Sequence, residues 1–150
     1  MAEPRFEPRL DHVGLNVADL DAACDWYRAA FGYQIDLPVR IDAIDLDIVM
    51  LIHPTSGGRL ELLHRPGSTD GLRAANPAEA VLSNGFGHIA FDVADLDATF
   101  DRVVGLGARP VMAPQQSPEK GVRMAFVADP EGNLVELLDR TSGTSEPVDA

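Results

Sequence analysis

A chain of 150 residues that is 45% hydrophobic can bury a sizeable core, either as one domain or as two small fused modules. Twenty-four acidic residues against 12 basic give a formal charge of -12, and Lys120 is the only lysine. With no basic cluster to meet phosphates, nucleic acid is excluded as a partner. The one cysteine, Cys24, excludes an intramolecular disulfide and a cysteine-cluster zinc site, and it fits a reducing compartment.

The opening "MAEPRFEPRL" has no apolar run of the signal-peptide kind, and residues 1–8 read as an N-terminal arm. No later stretch is long enough to span a bilayer, so the expectation is a soluble, cytoplasmic protein with no membrane partner. The first module is expected over residues 9–65. "DHVGLNV" alternates as a strand, with Val13, Leu15 and Val17 on one face and His12, Gly14 and Asn16 on the other. Asp19 suits the N-cap of a helix reaching Phe31. Leu20, Ala23, Cys24, Tyr27 and Phe31 form its apolar stripe, and Gly32 suits its stop. Cys24 on that stripe reads as core packing, not as a reactive thiol. Trp26 reads as a packing or dimer contact. Strand-like runs follow at about 34–39, 44–53 and 59–64, with "HPTSGG" as a turn.

Residues 66–86 are too long for a hairpin loop and read as a linker, with a helical turn near 77–82. The second module is expected over 87–140. Ile89, Phe91 and Val93 alternate with His88, Ala90 and Asp92, and Asp95 caps a helix ending at Gly105–Gly107. Strands follow at about 109–112, 123–128 and 134–138, with "DPEGN" as a turn before the last. Residues 141–150 read as a flexible tail.

The two modules are one pattern written twice. "HVGLNVADLDA" at 12–22 and "HIAFDVADLDA" at 88–98 share seven of eleven positions at an offset of 76, and "RLELLHR" and "LVELLDR" match at an offset of 75. Two motifs in the same order at nearly one offset imply a duplicated unit, each copy β-α-β-β-β.

Each helix must cover one face of its sheet, and the Val/Leu/Ile/Phe face is the natural one. His12 and His88 then point away from the helices, as do Glu61 and Glu136 from the last strands. A carboxylate flanked by leucines in a strand is costly without compensation. A divalent cation would compensate two histidines and two glutamates at once. The N2O2 set suits zinc, nickel, cobalt, manganese or iron(II), and it lacks the soft sulfur that would narrow the choice. Any one of these residues alone reads as an ordinary core or edge residue; four at repeat-related positions read as a ligand set. His53 precedes a turn proline and His64 faces away from Glu61, so neither belongs to it.

The openings "DHVGLNVADLDAACDWYRAAFG" and "GHIAFDVADLDATFDRV" and the ending "AFVADPEGNLVELLD" resemble the vicinal oxygen chelate superfamily over about residues 9–140. That superfamily includes glyoxalase I, methylmalonyl-CoA epimerase, extradiol dioxygenases, and fosfomycin and bleomycin resistance proteins. The resemblance implies an α+β fold of two paired βαβββ modules forming a curled mixed sheet around a central cup. It implies His12, Glu61, His88 and Glu136 as metal ligands and a homodimer, sometimes with exchanged modules.

The implied activity is that of a metal-dependent lyase or isomerase, glyoxalase I-like or acyl-CoA epimerase-like. Its substrate is a small molecule with adjacent oxygens, which loses a proton next to a metal-chelated carbonyl. By the same resemblance Glu61 and Glu136 are the candidate catalytic bases. An epimerase would use a separate carboxylate on the middle strand, where Asp45 and Asp47 fall. One departure bears on substrate: glutathione-dependent glyoxalase I proteins usually carry an arginine soon after the first histidine, and "HVGLNV" has none. Two alternatives stand beside this reading. An extradiol-type dioxygenase would use His12, His88 and Glu136 as its iron triad, with Glu61 an awkward extra. A drug-binding resistance protein of the bleomycin type would need no metal at all.

Overall fold

The computed structural model describes residues 8–140. The expected tail 141–150, and the expected arm apart from Pro8, lie outside the described residues. Internal packing divides the chain between Ser68 and Thr69.

In the first unit the order is β1 (His12–Asn16), α1 (Leu20–Phe31), β2 (Gln34–Ile41), β3 (Leu46–Ile52) and β4 (Arg59–His64). The strands lie β1-β4-β3-β2, with β1 parallel to β4 and the other pairs antiparallel. The Asp19 carboxylate accepts the Ala22 N–H at 2.9 Å, and Gly32 at φ 75° closes α1 by donating to the Arg28 carbonyl. Such a cap contributes about 1 kcal/mol.

The helix packs on β3 and β4, where Leu51, Leu60 and Leu62 are fully buried with Tyr27 beneath it. The edge strand β1 is less covered than its alternation predicts. Val13 stays 38% exposed and Leu15 half-buried, because the helix axis runs over the two central strands. Cys24 is buried, and desolvation raises its thiol pKa, as core packing requires.

β2 runs two residues further than its sequence pattern indicates, and β3 starts two residues later than expected. Between them Asp42–Ile44 forms a 3-10 turn and Asp45 takes the left-handed conformation at φ 54°. The cause is Arg40, whose guanidinium donates to Asp42 at 3.1 Å, to Asp47 at 2.8 Å and to Asp45. One cation gathering three carboxylates fixes a turn that no glycine or proline announces.

The second unit contains α2 (Pro77–Ala80), β5 (Ile89–Asp92), α3 (Leu96–Gly105), β6 (Arg109–Gln116), β7 (Arg123–Ala128) and β8 (Leu134–Asp139), with strand order β5-β8-β7-β6. It repeats the first: β5 is parallel to β8, Asp95 caps α3 through the Ala98 N–H at 2.9 Å, and α3 packs on β6, β7 and β8. Val103 on the helix and Ala125, Val127, Val135 and Leu137 on the strands under it are fully buried. β6 continues to Gln116 despite Pro110 and Pro114, with register shifts beside both. An edge strand tolerates prolines because their missing N–H groups would face outward.

The Asp129 turn is built as its sequence predicts. The buried Asp129 carboxylate accepts the N–H groups of Glu131 at 3.0 Å and Asn133 at 2.8 Å, and Gly132 sits at φ 92°. Part of the expected linker is packed, with Ala74 and Ala80 against Leu134 and Val111. Arg123 reaches across to Asp97 at 2.6 and 3.2 Å, pinning β7 to the start of α3 and holding the Asp97 carboxyl below its ordinary range. Among the described residues no helix is long and apolar enough to cross a membrane.

Candidate metal centre

In the first sheet, Gly14 of β1 stands beside Glu61 of β4, and Glu61 stands beside Met50 of β3. The alternating face that carries Glu61 therefore carries Ile48, Met50 and Leu63, while Leu51, Leu60 and Leu62 lie under the helix on the opposite face. The parallel β1–β4 pairing puts His12 one step along the same face. Its Nε2 lies 2.9 Å from Glu61 Oε2. The small residue between them leaves room: a Cβ at Gly14 would sit 3.7 Å from Glu61 Oε2, ordinary contact, and the second module has Ala90 there.

The second sheet repeats the arrangement. Ala90 stands beside Glu136, Glu136 beside Phe126, and His88 Nε2 lies 3.1 Å from Glu136 Oε2. β5 begins at Ile89, so His88 sits just before the strand and not within it, and its ring meets Phe126 edge-on at 5.3 Å. Both glutamate side chains are largely shielded, 19% and 16% exposed, whereas the imidazoles are 37% and 40% exposed.

These distances fit a shared cation. Bonds of about 2.1 Å at right angles place two donor atoms about 3.0 Å apart. An imidazole nitrogen and a carboxylate oxygen are a donor set that zinc, nickel, cobalt, manganese and iron(II) all accept. The same spacing suits a hydrogen bond from imidazolium to carboxylate, so protons compete with a cation for each pair. His12 has a raised pKa, first through its hydrogen bond to Asp11 and then through Glu61, with desolvation opposing. Among the described residues, no group of three or more His, Cys, Asp and Glu side chains gathers as a metal cluster. Within its own unit each histidine meets its glutamate, His12 with Glu61 and His88 with Glu136.

The remaining polar candidates lie elsewhere. Asp47 pairs with Arg40 in register and stands opposite His64, on the helix-facing side away from Glu61, and Asp45 is held in the Arg40 turn. His64 shares its Nδ1 hydrogen with the Val17 carbonyl at 3.0 Å. An open groove of about 620 Å³ includes Asp19, Pro38, Arg40, Asp47 and His64. Its cation is already bound by carboxylates, so it offers little to an anionic ligand. His53 works in its turn, its Nδ1 accepting the Ser56 N–H at 3.2 Å. Two neighbours of the pairs escape the alternation argument. Asp11 Oδ2 lies 2.7 Å from His12 Nδ1, a contact that the adjacent "DH" could have signalled, and Phe126 against His88 carried no signal of its own.

Two four-stranded mixed sheets, each from a β-α-β-β-β run, match the architecture of glyoxalase-fold proteins. The chain belongs to the Glyoxalase/Bleomycin resistance protein/Dioxygenase superfamily, whose family model matches residues 9–137. It is similar to an ethylmalonyl-CoA/methylmalonyl-CoA epimerase of Cereibacter sphaeroides, 32% identical, over 86% of this chain and 96% of that protein. It is also similar to a probable lactoylglutathione lyase of Vibrio parahaemolyticus, 28% identical, over 91% of this chain and 94% of that protein. Among solved structures, a glyoxalase family protein from Bacillus cereus superposes with a TM-score of 0.75 at 23% identity, covering 93% of this chain and 97% of that one. That likeness shows the fold.

Proposed function

We propose that the protein is a divalent-metal-dependent lyase or isomerase of the glyoxalase type, moving a proton on carbon next to a carbonyl of a substrate with adjacent oxygens. The observation that carries this reading is the pair of His–Glu contacts, 2.9 and 3.1 Å, at equivalent positions of a duplicated module. His12, Glu61, His88 and Glu136 would together hold the cation, two donors from each module. When bound, the cation supplies Lewis acidity that lowers the cost of forming a carbanion beside a carbonyl.

The chain's own residues do the rest. The imidazoles would hold the cation through Nε2, and one glutamate Oε would accept the proton from substrate carbon and return it. Similarity to proteins named as a lyase and as an epimerase supports this reading. The test is metal analysis of protein purified without chelator, followed by solvent-deuterium exchange into a methylglyoxal–thiol adduct and into methylmalonyl-CoA. Roughly one divalent ion per chain with exchange into either substrate is expected; a chain that neither holds metal nor exchanges sinks the reading.

The protein partner in this reading is a second copy of the chain. Val81, Leu82 and Phe86 are 77%, 83% and 104% exposed within six residues. With Leu72 they offer on the order of 400–500 Å² of apolar surface, close to the apolar share of the roughly 800 Å² per partner that a stable homodimer buries. Sedimentation of the wild type should give a dimer at micromolar concentration, and Phe86→Glu with Leu82→Glu a folded monomer. A wild type that sediments as a monomer overturns this surface.

A further inference from the structure

The two modules differ at the residue before each histidine. The first has Asp11, the second Gly87. Asp11 Oδ2 lies 2.7 Å from His12 Nδ1, while Nε2 of the same ring lies 2.9 Å from Glu61 Oε2. Both ring nitrogens thus face a carboxylate, and Asp11 competes with Glu61 for the ring hydrogen. A cation on the Glu61 side would take the Nε2 lone pair, which lies in the ring plane, and Asp11 would then hold the hydrogen on Nδ1. At His88 no carboxylate comes from the preceding residue, and the edge-on Phe126 ring restrains the imidazole instead, at 5.3 Å. A ring contact limits orientation but does not choose which nitrogen carries the proton.

We propose that Asp11 is a positioning residue that sets the Nδ1–H tautomer of His12 and presents Nε2 as a metal donor. The consequence is an unequal centre: beyond its glutamate, the first histidine has an outer carboxylate from the residue before it, and the second has the Phe126 ring contact. This rests on the metal reading given above, and it adds a residue outside the four ligands. Asp11 is 75% exposed, so its role is not structural burial. β1 begins at His12, which frees Asp11 from the strand's alternation and lets it turn back onto the ring.

The test uses the full chain as wild type, Asp11→Ala, Asp11→Asn and the surface control Asp25→Ala, with Co²⁺ as the probe. In chelator-treated protein at alkaline pH, long-range proton–nitrogen spectra should show a substantial Nδ1–H share for His12 in wild type, where Asp11 competes with Glu61 for the ring hydrogen. Asp11→Ala should release it toward the Nε2–H form usual for free imidazole. Titration with Co²⁺ should show affinity lower by about 10- to 100-fold in Asp11→Ala, the usual effect of losing such a partner, with partial recovery in Asp11→Asn and none lost in Asp25→Ala. If Co²⁺ binds and Asp11→Ala leaves both the His12 tautomer and the affinity unchanged, the proposal falls alone. If the wild type binds no Co²⁺, the proposal falls together with the metal reading.

Discussion

Glu61→Gln and Glu136→Gln, made singly, are each expected to lose most proton-exchange activity at stoichiometric cation. Glutamine keeps the shape of glutamate and its place in the strand. It also loses the charge that a divalent cation needs and the oxygen that can take a proton. Raising the cation concentration should separate the two effects. The variant that has lost only a ligand recovers to within about tenfold of wild type, while the variant that has lost the base stays about 10²- to 10⁴-fold down in kcat. The measurement is solvent-deuterium exchange against added Co²⁺ or Zn²⁺. Two Gln variants that both retain wild-type kcat without added cation would remove both glutamates from the chemistry. The geometry makes the pair worth this test: each carboxylate is more than four-fifths shielded beside an imidazole nitrogen, among leucine, methionine and phenylalanine.

The outward face of the His–Glu residues was legible because alternation is a local rule. Period-two alternation turns His12, Glu61 and Glu136 away from the helices, whereas His88 sits just before its strand. The parallel first-to-last strand pairing that brings each histidine to its glutamate joins residues distant in sequence and shows only in the sheet order. The helix caps at Asp19 and Asp95 were legible for the same reason, since a cap is an interaction over three residues. What stayed hidden depends on partners distant in sequence or on packing. The turn at Asp42–Asp45 is drawn in by Arg40, and its charges look like a solvated acidic run until that cation is placed. The extension of β6 past Pro114 follows from its being an edge strand, which only the sheet order reveals. The partial exposure of Val13 and Leu15 follows from where α1 lies across the strands, a matter of side-chain fit that alternation does not encode.

Leu62→Ala and Leu137→Ala are expected to be the costliest single truncations, each lowering unfolding free energy by about 2–5 kcal/mol. Both leucines are fully buried, and each directly follows the glutamate of its module in the same central strand, on the opposite face. Leu62 lies beside Leu15 in register and in the sheet that α1 covers; Leu137 lies beside Phe91 in the sheet that α3 covers. Removing three carbons from such a site forfeits their transfer energy and leaves a cavity that two hydrogen-bonded neighbouring strands cannot collapse into. The damage should reach the glutamate, because Glu61 and Glu136 are placed by the strand that each leucine anchors, and a ligand set tolerates little displacement. Urea unfolding measures the first effect and Co²⁺ titration the second, with Leu37→Ala, at a position 55% exposed, as the control that should cost under about 1 kcal/mol. A loss below about 1 kcal/mol at Leu62 or Leu137 would mean that the helices do not close the leucine faces. The His–Glu faces would then lose the packed backing on which their geometry depends.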